Sequence, residues 1–178
     1  MASLMSNKKF LAAVQKFMAI QAVSVSTVRG MPAGSLGKIQ TYLGRLRLGR
    51  LAGMDGSDYA RWLDAKTRDL QKKLRGRKKR WGVARKATNL FMRQCLYNTY
   101  LSKKYRLHPL QQHMEIPLDS RVAQELKKDA GRGALPPWPG LISLDPTTSR
   151  KFQEHAKDYA LREKLPARVF LDNYLWLK

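Results

Sequence analysis

At 178 residues, 43% of them apolar, the chain is one domain or slightly more and can bury a core; it is not a disordered basic tail. Thirty-five Lys and Arg against thirteen Asp and Glu give a net charge of +22. That exceeds what solubility needs and points to a polyanion, either nucleic acid or an anionic membrane surface. The single cysteine excludes a disulfide framework, a four-cysteine zinc site and a cysteine-ligated iron–sulfur cluster within one chain.

In chain order the predicted elements are helices. Residues 8–25 carry Phe10, Val14, Phe17, Met18 and Ile20 at helical spacing, until Arg29-Gly-Met-Pro-Ala-Gly34 breaks the pattern. Gln15, Lys16 and Gln21 interrupt the apolar stretch Phe10–Ser26, which argues against a secretory signal. Its acid-free amphipathic character also suits an organelle transit peptide, although its apolar content is that of a core helix. Ser35 caps a second helix to about Leu51, with Leu36, Ile39, Leu43, Leu46 and Leu48 inward. Ser57 or Asp58 starts a third, with a core face of Tyr59, Trp62, Leu63 and Leu70. Gly76 through Gly82 is predicted as a turn, followed by a longer helix over 84–104 with Ala87, Leu90, Phe91, Cys95, Leu96 and Tyr100 inward.

Pro109 and the polar residues to Glu115 form a connection, and Asp119 or Ser120 caps a short helix over 120–129. Residues 130–146 contain Leu135-Pro-Pro-Trp-Pro-Gly140, a semi-rigid loop in which Trp138 is either a stacking surface or simple packing. Asp145 followed by Pro146 starts a helix to about Lys164, and Pro166 opens a last one ending at Trp176. There is no internal repeat, no alternating run that predicts a strand and no apolar run of membrane-spanning length. The expected architecture is an all-α, compact helical domain. Residues 1–74 form a basic N-terminal helical region and residues 75–178 a hairpin-helix region with C-terminal helices.

The charge is unevenly placed. No acid precedes Asp55, and between Lys66 and Lys86 eleven Lys and Arg accompany one acid, Asp69. The densest run is Arg75-Gly-Arg-Lys-Lys-Arg80, which suggests a surface that meets phosphate, although a flexible basic loop has the same composition. His108, His113 and His155 make no metal-ligand spacing on one helix face. Cys95, among Leu90, Phe91 and Leu96, is predicted as buried packing.

Two segments carry the chemistry: Trp81-Gly-Val-Ala-Arg-Lys-Ala-Thr-Asn89, a turn leading into a helix, and Glu115-Ile-Pro-Leu-Asp-Ser-Arg-Val-Ala123, an apolar-Pro-apolar-Asp approach to another. Taken singly, Lys86 is a phosphate-binding lysine and Asp119 a helix cap. Together and in this order they resemble the helix–hairpin–helix DNA glycosylase superfamily. There, a Gly-Val-Gly turn precedes a helix with the catalytic lysine, and a later Pro-Val-Asp-x-x-Val segment supplies the aspartate. Gly82-Val-Ala-Arg-Lys86 and Pro117-Leu-Asp-Ser-Arg-Val122 match these, and Asp172-Asn-Tyr-Leu-Trp-Leu177 is similar to the closing helix of the archaeal 8-oxoguanine glycosylase branch. The resemblance covers roughly residues 75–178.

It implies a catalytic pair, Lys86 and Asp119, and a base pocket of Asp172, Trp176 and Phe91. It also implies a DNA-binding hairpin of Arg77, Lys78, Lys79, Arg80, Gly82 and Arg85. Ala84 replaces the second hairpin glycine and Trp81 the usual proline, which shifts backbone binding toward Arg77–Arg80 and Arg85. The archaeal branch has an aromatic residue one turn after the lysine; here that position is Leu90, with Phe91 beside it. A lysine amine attacks only when deprotonated, and Arg85, the cationic run and the apolar helix all favour losing the proton. Attack at the sugar C1′ displaces the base and leaves a Schiff base, with the aspartate accepting the proton or stabilising the developing positive charge.

The expected function is thus excision of a damaged base, an oxidised purine such as 8-oxoguanine, from double-stranded DNA. The enzyme would be a monomer without cofactor, metal or membrane, intracellular and either cytoplasmic or nucleoid-associated, with organelle import open. Two alternatives stand beside it. One is a base-modifying enzyme of the same fold acting on a thymine-derived base. The other is a non-catalytic nucleic-acid-binding protein, which the charge alone would explain.

Overall fold

Polar residues placed against helix ends set the element boundaries in this computed structural model, which describes residues 6–74 and 80–177. Eight α-helices are described: α1 (Lys8–Ala22), α2 (Ser35–Gly44), α3 (Gly56–Lys73), α4 (Trp81–Tyr97), α5 (Thr99–Tyr105), α6 (Ser120–Ala130), α7 (Pro146–Arg162) and α8 (Leu171–Trp176). Short 3₁₀ turns at Val25–Val28, Leu48–Leu51, His108–His113 and Arg168–Phe170 link them, and no strand occurs among the described residues. The chain is all-α, as its periodicity predicts. No helix among the described residues is long and apolar enough to cross a membrane.

The differences from the predicted boundaries have local causes. The helix expected to reach Leu51 stops at Gly44, because Gln15 of α1 is buried and its Nε2 donates to the carbonyls of Leu43, Gly44 and Leu46 at 3.3, 3.2 and 2.8 Å. Those carbonyls would otherwise be orphans of a helix end. The helix expected over 84–104 divides at Asn98, whose side chain accepts from Leu101 N at 3.1 Å and caps α5. Asp119 and Asp145 cap α6 and α7, as their positions in the sequence predict.

Gly82 requires the largest correction. It does not sit in a turn but in the first turn of α4, which begins at Trp81. The left-handed residue is Arg80 instead, at φ 49°. A Cβ on Gly82 would come within 2.3 Å of the Leu141 carbonyl oxygen and 2.6 Å of Leu144 Cβ. The glycine therefore lets the 141–144 loop lie directly on α4, and it presents nothing to a phosphate.

Two cores result. One joins α1 to α5, with Ile39, Leu43, Leu63, Phe91 and Cys95 fully or almost fully buried. The other is built by α6, α7 and α8 around Val122, Leu126, Phe152 and Leu175. The packing does not divide at residue 74, since α1 to α3 form the first core together with α4. The first core runs in sequence to Met114 and takes in Ala167 and Val169 again further on, while the second begins at Ile116. Trp138 serves packing: its ring meets Phe152 edge-on at 5.6 Å and its Nε1 donates to Ser120 Oγ at 3.1 Å.

Two glycine substitutions should act with opposite signs. Gly82→Ala forces backbone apart and should lower unfolding free energy by about 3 kcal/mol. Gly37 lies within α2, where an added Cβ would meet nothing within 4 Å, so Gly37→Ala should raise it by roughly 0.5–1 kcal/mol. Chemical denaturation of the two variants checks both.

Candidate active site

The site lies where the two cores meet and is held there by a buried polar cluster. Arg85 of α4 is only 7% exposed. Its Nε and Nη2 donate to the two oxygens of Glu115 at 2.8 and 2.7 Å, a bidentate pair, and its Nη1 donates to Asp64 at 2.7 Å and Thr67 at 3.1 Å. Asn89 Nδ2 donates to Glu115 at 3.0 Å, and the Arg85 guanidinium lies 5.3 Å from the Trp81 ring centre. Burial pushes the Glu115 carboxyl up, but the hydrogen bonds and charge of Arg85, with Asn89 and Arg168, outweigh it and hold the group below the usual carboxylate range. The neighbouring backbone is pinned as well. Ile116 exchanges two hydrogen bonds with Gln153 at 3.1 and 2.8 Å, and Arg168 Nε donates to the Met114 carbonyl at 3.1 Å.

From that anchor the chain runs through the buried Pro117 and Leu118 to Asp119. One oxygen of Asp119 caps α6 by accepting from Val122 N at 2.9 Å, and the other accepts from Lys86 Nζ at 3.0 Å. The side chains are only 11% and 16% exposed, so the ion pair is mostly shielded from water. An acceptor for the lysine proton thus stands in place, fixed by a helix cap.

Two connected hollows meet at this pair and share Ser26, Thr27, Lys86, Asp119 and Trp176 in their walls. The smaller, about 310 Å³, is floored by Leu90, Arg93, Asp172 and Asn173. The larger, about 430 Å³, adds Arg29, Ser120, Arg121 and the Pro139–Ile142 loop. Asp172 is buried and paired with Arg93, whose charge burial disfavours. Arg93 Nε is buried without a hydrogen-bond partner, and its Nη1 reaches Asn173 Oδ1 at 3.3 Å. Trp176 is half-exposed at the rim, with the Arg121 guanidinium 4.9 Å from its ring centre. Bigger hollows of about 730 and 800 Å³ lie elsewhere and contain neither Lys86 nor Asp119. Among the described residues no three His, Cys, Asp or Glu converge as a metal site.

Of the residues singled out from sequence, Lys86, Asp119, Asp172 and Trp176 come together in one cleft. Phe91 does not: it is fully buried in the first core, and Leu90 faces the cleft instead. Arg85 is no surface cation either, because Glu115 and Asp64 match its charge, so it neither meets phosphate nor presses on Lys86 as an unpaired neighbour. Arg80 is half-buried, with Nη1 at 3.1 Å from Met31 Sδ. Arg77, Lys78 and Lys79 lie outside the described residues.

Sequence reasoning missed Arg93, Asn173, Arg121 and the Ser26–Arg29 stretch. Arg93 follows Lys86 by seven residues, two helical turns on one face, and that spacing was a usable signal. The N-terminal turn carried none. No family model, curated protein or solved structure matches the chain.

The Arg85–Glu115 pair makes stability depend on pH. A carboxyl held low when folded contributes stability above its unfolded value, about pH 4, and that contribution is lost as pH falls through the folded value. Glu115→Gln should cost about 3 kcal/mol at neutral pH, because Arg85 is left buried with one carboxylate partner at the surface. Its stability should also fall less than that of the parent between about pH 5 and 3. Urea midpoints across that range are the measurement.

Proposed function

We propose that the chain is a DNA glycosylase with associated lyase activity, which excises an oxidised purine such as 8-oxoguanine from duplex DNA through a Schiff base on Lys86. One observation carries the reading: Lys86 Nζ lies 3.0 Å from Asp119 Oδ2 at the junction of two hollows that also include Asp172 and Trp176 in their walls. A lysine kept only for phosphate would stand in solvent, and an aspartate kept only as a cap would need one oxygen at the helix.

In this mechanism the damaged nucleotide leaves the stack, and its base enters the smaller hollow. Trp176 offers a ring face at the rim, while Arg93, Asp172 and Asn173 present polar groups to the base edge. Lys86 passes a proton to Asp119, and the freed amine attacks C1′. The bond from C1′ to the base breaks, with its electron pair leaving on the base, which takes up a proton. Opening of the sugar ring gives the Schiff base. Loss of a C2′ proton then expels the 3′ phosphate and cuts the strand. By passing the lysine proton on to the departing base, Asp119 becomes a carboxylate again and balances the positive charge left on the sugar and the Schiff base.

Borohydride trapping tests the chemistry on duplexes carrying 8-oxoguanine, other lesions or an abasic site. The parent protein should form a covalent complex, and Lys86→Gln should form none. Asp119→Asn keeps a good helix cap but loses the proton acceptor, so trapping should slow by about 10²-fold or more with stability nearly unchanged. Trapping on the abasic duplex alone would leave a lyase with another base as substrate. No trapping with salt-sensitive binding intact would replace the enzyme by a binding protein.

A further inference from the structure

Away from the reactive cleft, a second concavity crosses α2. It consists of two hollows that share Gly37, Thr41 and Arg45: about 800 Å³ between α2 and the last turn of α3, and about 350 Å³ between α2 and α1. Lys38, Arg45, Lys72 and Lys73 line the first, and Lys16 lines the second. All five are at least partly exposed, neither hollow has an Asp or Glu in its wall, and none of the five pairs with a carboxylate among the described residues. Three cations at the seam and the cleft differ: Arg85, Lys86 and Arg93 each have an acid in contact. Like charges gathered without counter-charge repel one another, and that cost is relieved when a polyanion binds.

Gly37 supplies an independent observation. It lies inside α2, where glycine is an unfavourable helix residue, yet no atom stands within 4 Å of where its Cβ would be. Nothing in the fold requires a glycine there. Its absent side chain leaves bare backbone between Lys38, Arg45 and Lys72, so that an outside group can approach the helix closely.

We infer that this groove is a second nucleic-acid contact, which grips the phosphate backbone of duplex DNA independently of the reactive cleft. A concave wall of cations accepts a ridge of phosphates, one charge per about 1.7 Å of duplex axis, and does not fit against a flat bilayer. The groove and the smaller reactive hollow both draw wall residues from α1. Ile20, in the groove wall, is two residues before Ala22 of the smaller reactive hollow, and Gln40 of α2 donates to the Val23 carbonyl at 3.0 Å. In sequence, Lys72 and Lys73 lead directly into the basic run Arg75–Arg80. Such a contact holds undamaged DNA while successive bases are presented to the cleft.

The experiment is fluorescence anisotropy of the full chain with a short undamaged duplex, titrated at several salt concentrations. Gly37→Glu places a carboxylate in the groove at a position with open space, and should weaken binding about tenfold or more while the fold persists. Gly37→Ala, which fills part of the same space without charge, should weaken binding by a smaller factor than Gly37→Glu. The triple variant Lys38→Gln, Lys72→Gln, Lys73→Gln should reduce the slope of log Kd against log salt by about 2 to 3, near 0.9 for each phosphate no longer neutralised. Parent affinity and parent slope in both Gly37→Glu and the triple variant would overturn the inference. So would loss of sedimentation with phosphatidylserine vesicles in variants that still bind duplex normally. The outcome is separable from the Lys86 chemistry: if the parent never traps and the groove variants still lose duplex affinity, the groove stands and the glycosylase reading falls.

Discussion

The Arg85–Glu115 pair is the constraint on which the site depends. Arg85 and Lys86 are successive residues of α4, while Glu115 and Asp119 are four residues apart on the segment that enters α6. The first pair is bidentate and mostly buried, so the position of the segment is set before Asp119 is considered. Gln153 and Arg168 fix the same backbone from the other side. Pro117 then limits the path to Asp119, and the cap on Val122 limits its rotamer. Lys86 thus meets a carboxylate held by several independent restraints, and the second ion pair follows from the first. A buried ion pair gains little net stability over apolar packing of the same volume. Its value here is geometric, since it sets the register between the two cores.

Sorting the basic residues by partner explains how a chain of +22 folds at all. Arg85, Lys86 and Arg93 are drawn inward against Glu115, Asp64, Asp119 and Asp172, so four of the thirteen acids are placed at the seam and the cleft. The first helices receive none, because no acid precedes Asp55. Their charge is left on the surface of α1 and α2, where it has no internal role. An acid-poor composition therefore yields two kinds of cation: a mostly buried, paired set that builds the site, and an exposed set that faces outward.

Local signals were legible in the sequence and long-range ones were not. The caps at Asp119 and Asp145 act within three residues, and both were readable. The partners of Arg85 lie 30 and 21 residues away, so beside Arg77–Arg80 it looked like one more phosphate-facing cation. Leu90 and Phe91 are both apolar and about 100° apart on the helix, and periodicity alone does not say which faces a cleft and which a core. Gly82 looked like a turn because glycine usually marks one, but here it marks close approach by a distant loop at Leu141. The contribution of Ser26 and Thr27 depends on how the first core turns α1 toward α8, which no local pattern records.

In the proposed reaction, the resting pair also suggests how a lysine held against a carboxylate becomes a nucleophile. Lys86 and Asp119 form an ion pair that retains slight exposure to water. A base in the smaller hollow and a sugar at the junction would displace that water. Removing two opposite charges from water costs several kcal/mol per ion, and moving the proton from Nζ to Oδ2 across 3.0 Å replaces both charges with neutral groups that still share a hydrogen bond. Substrate entry would then liberate the amine at the moment C1′ arrives, without any rearrangement of the protein. Because Asp119 stays fixed by its helix cap, it remains in place to return as a carboxylate when positive charge grows on the sugar.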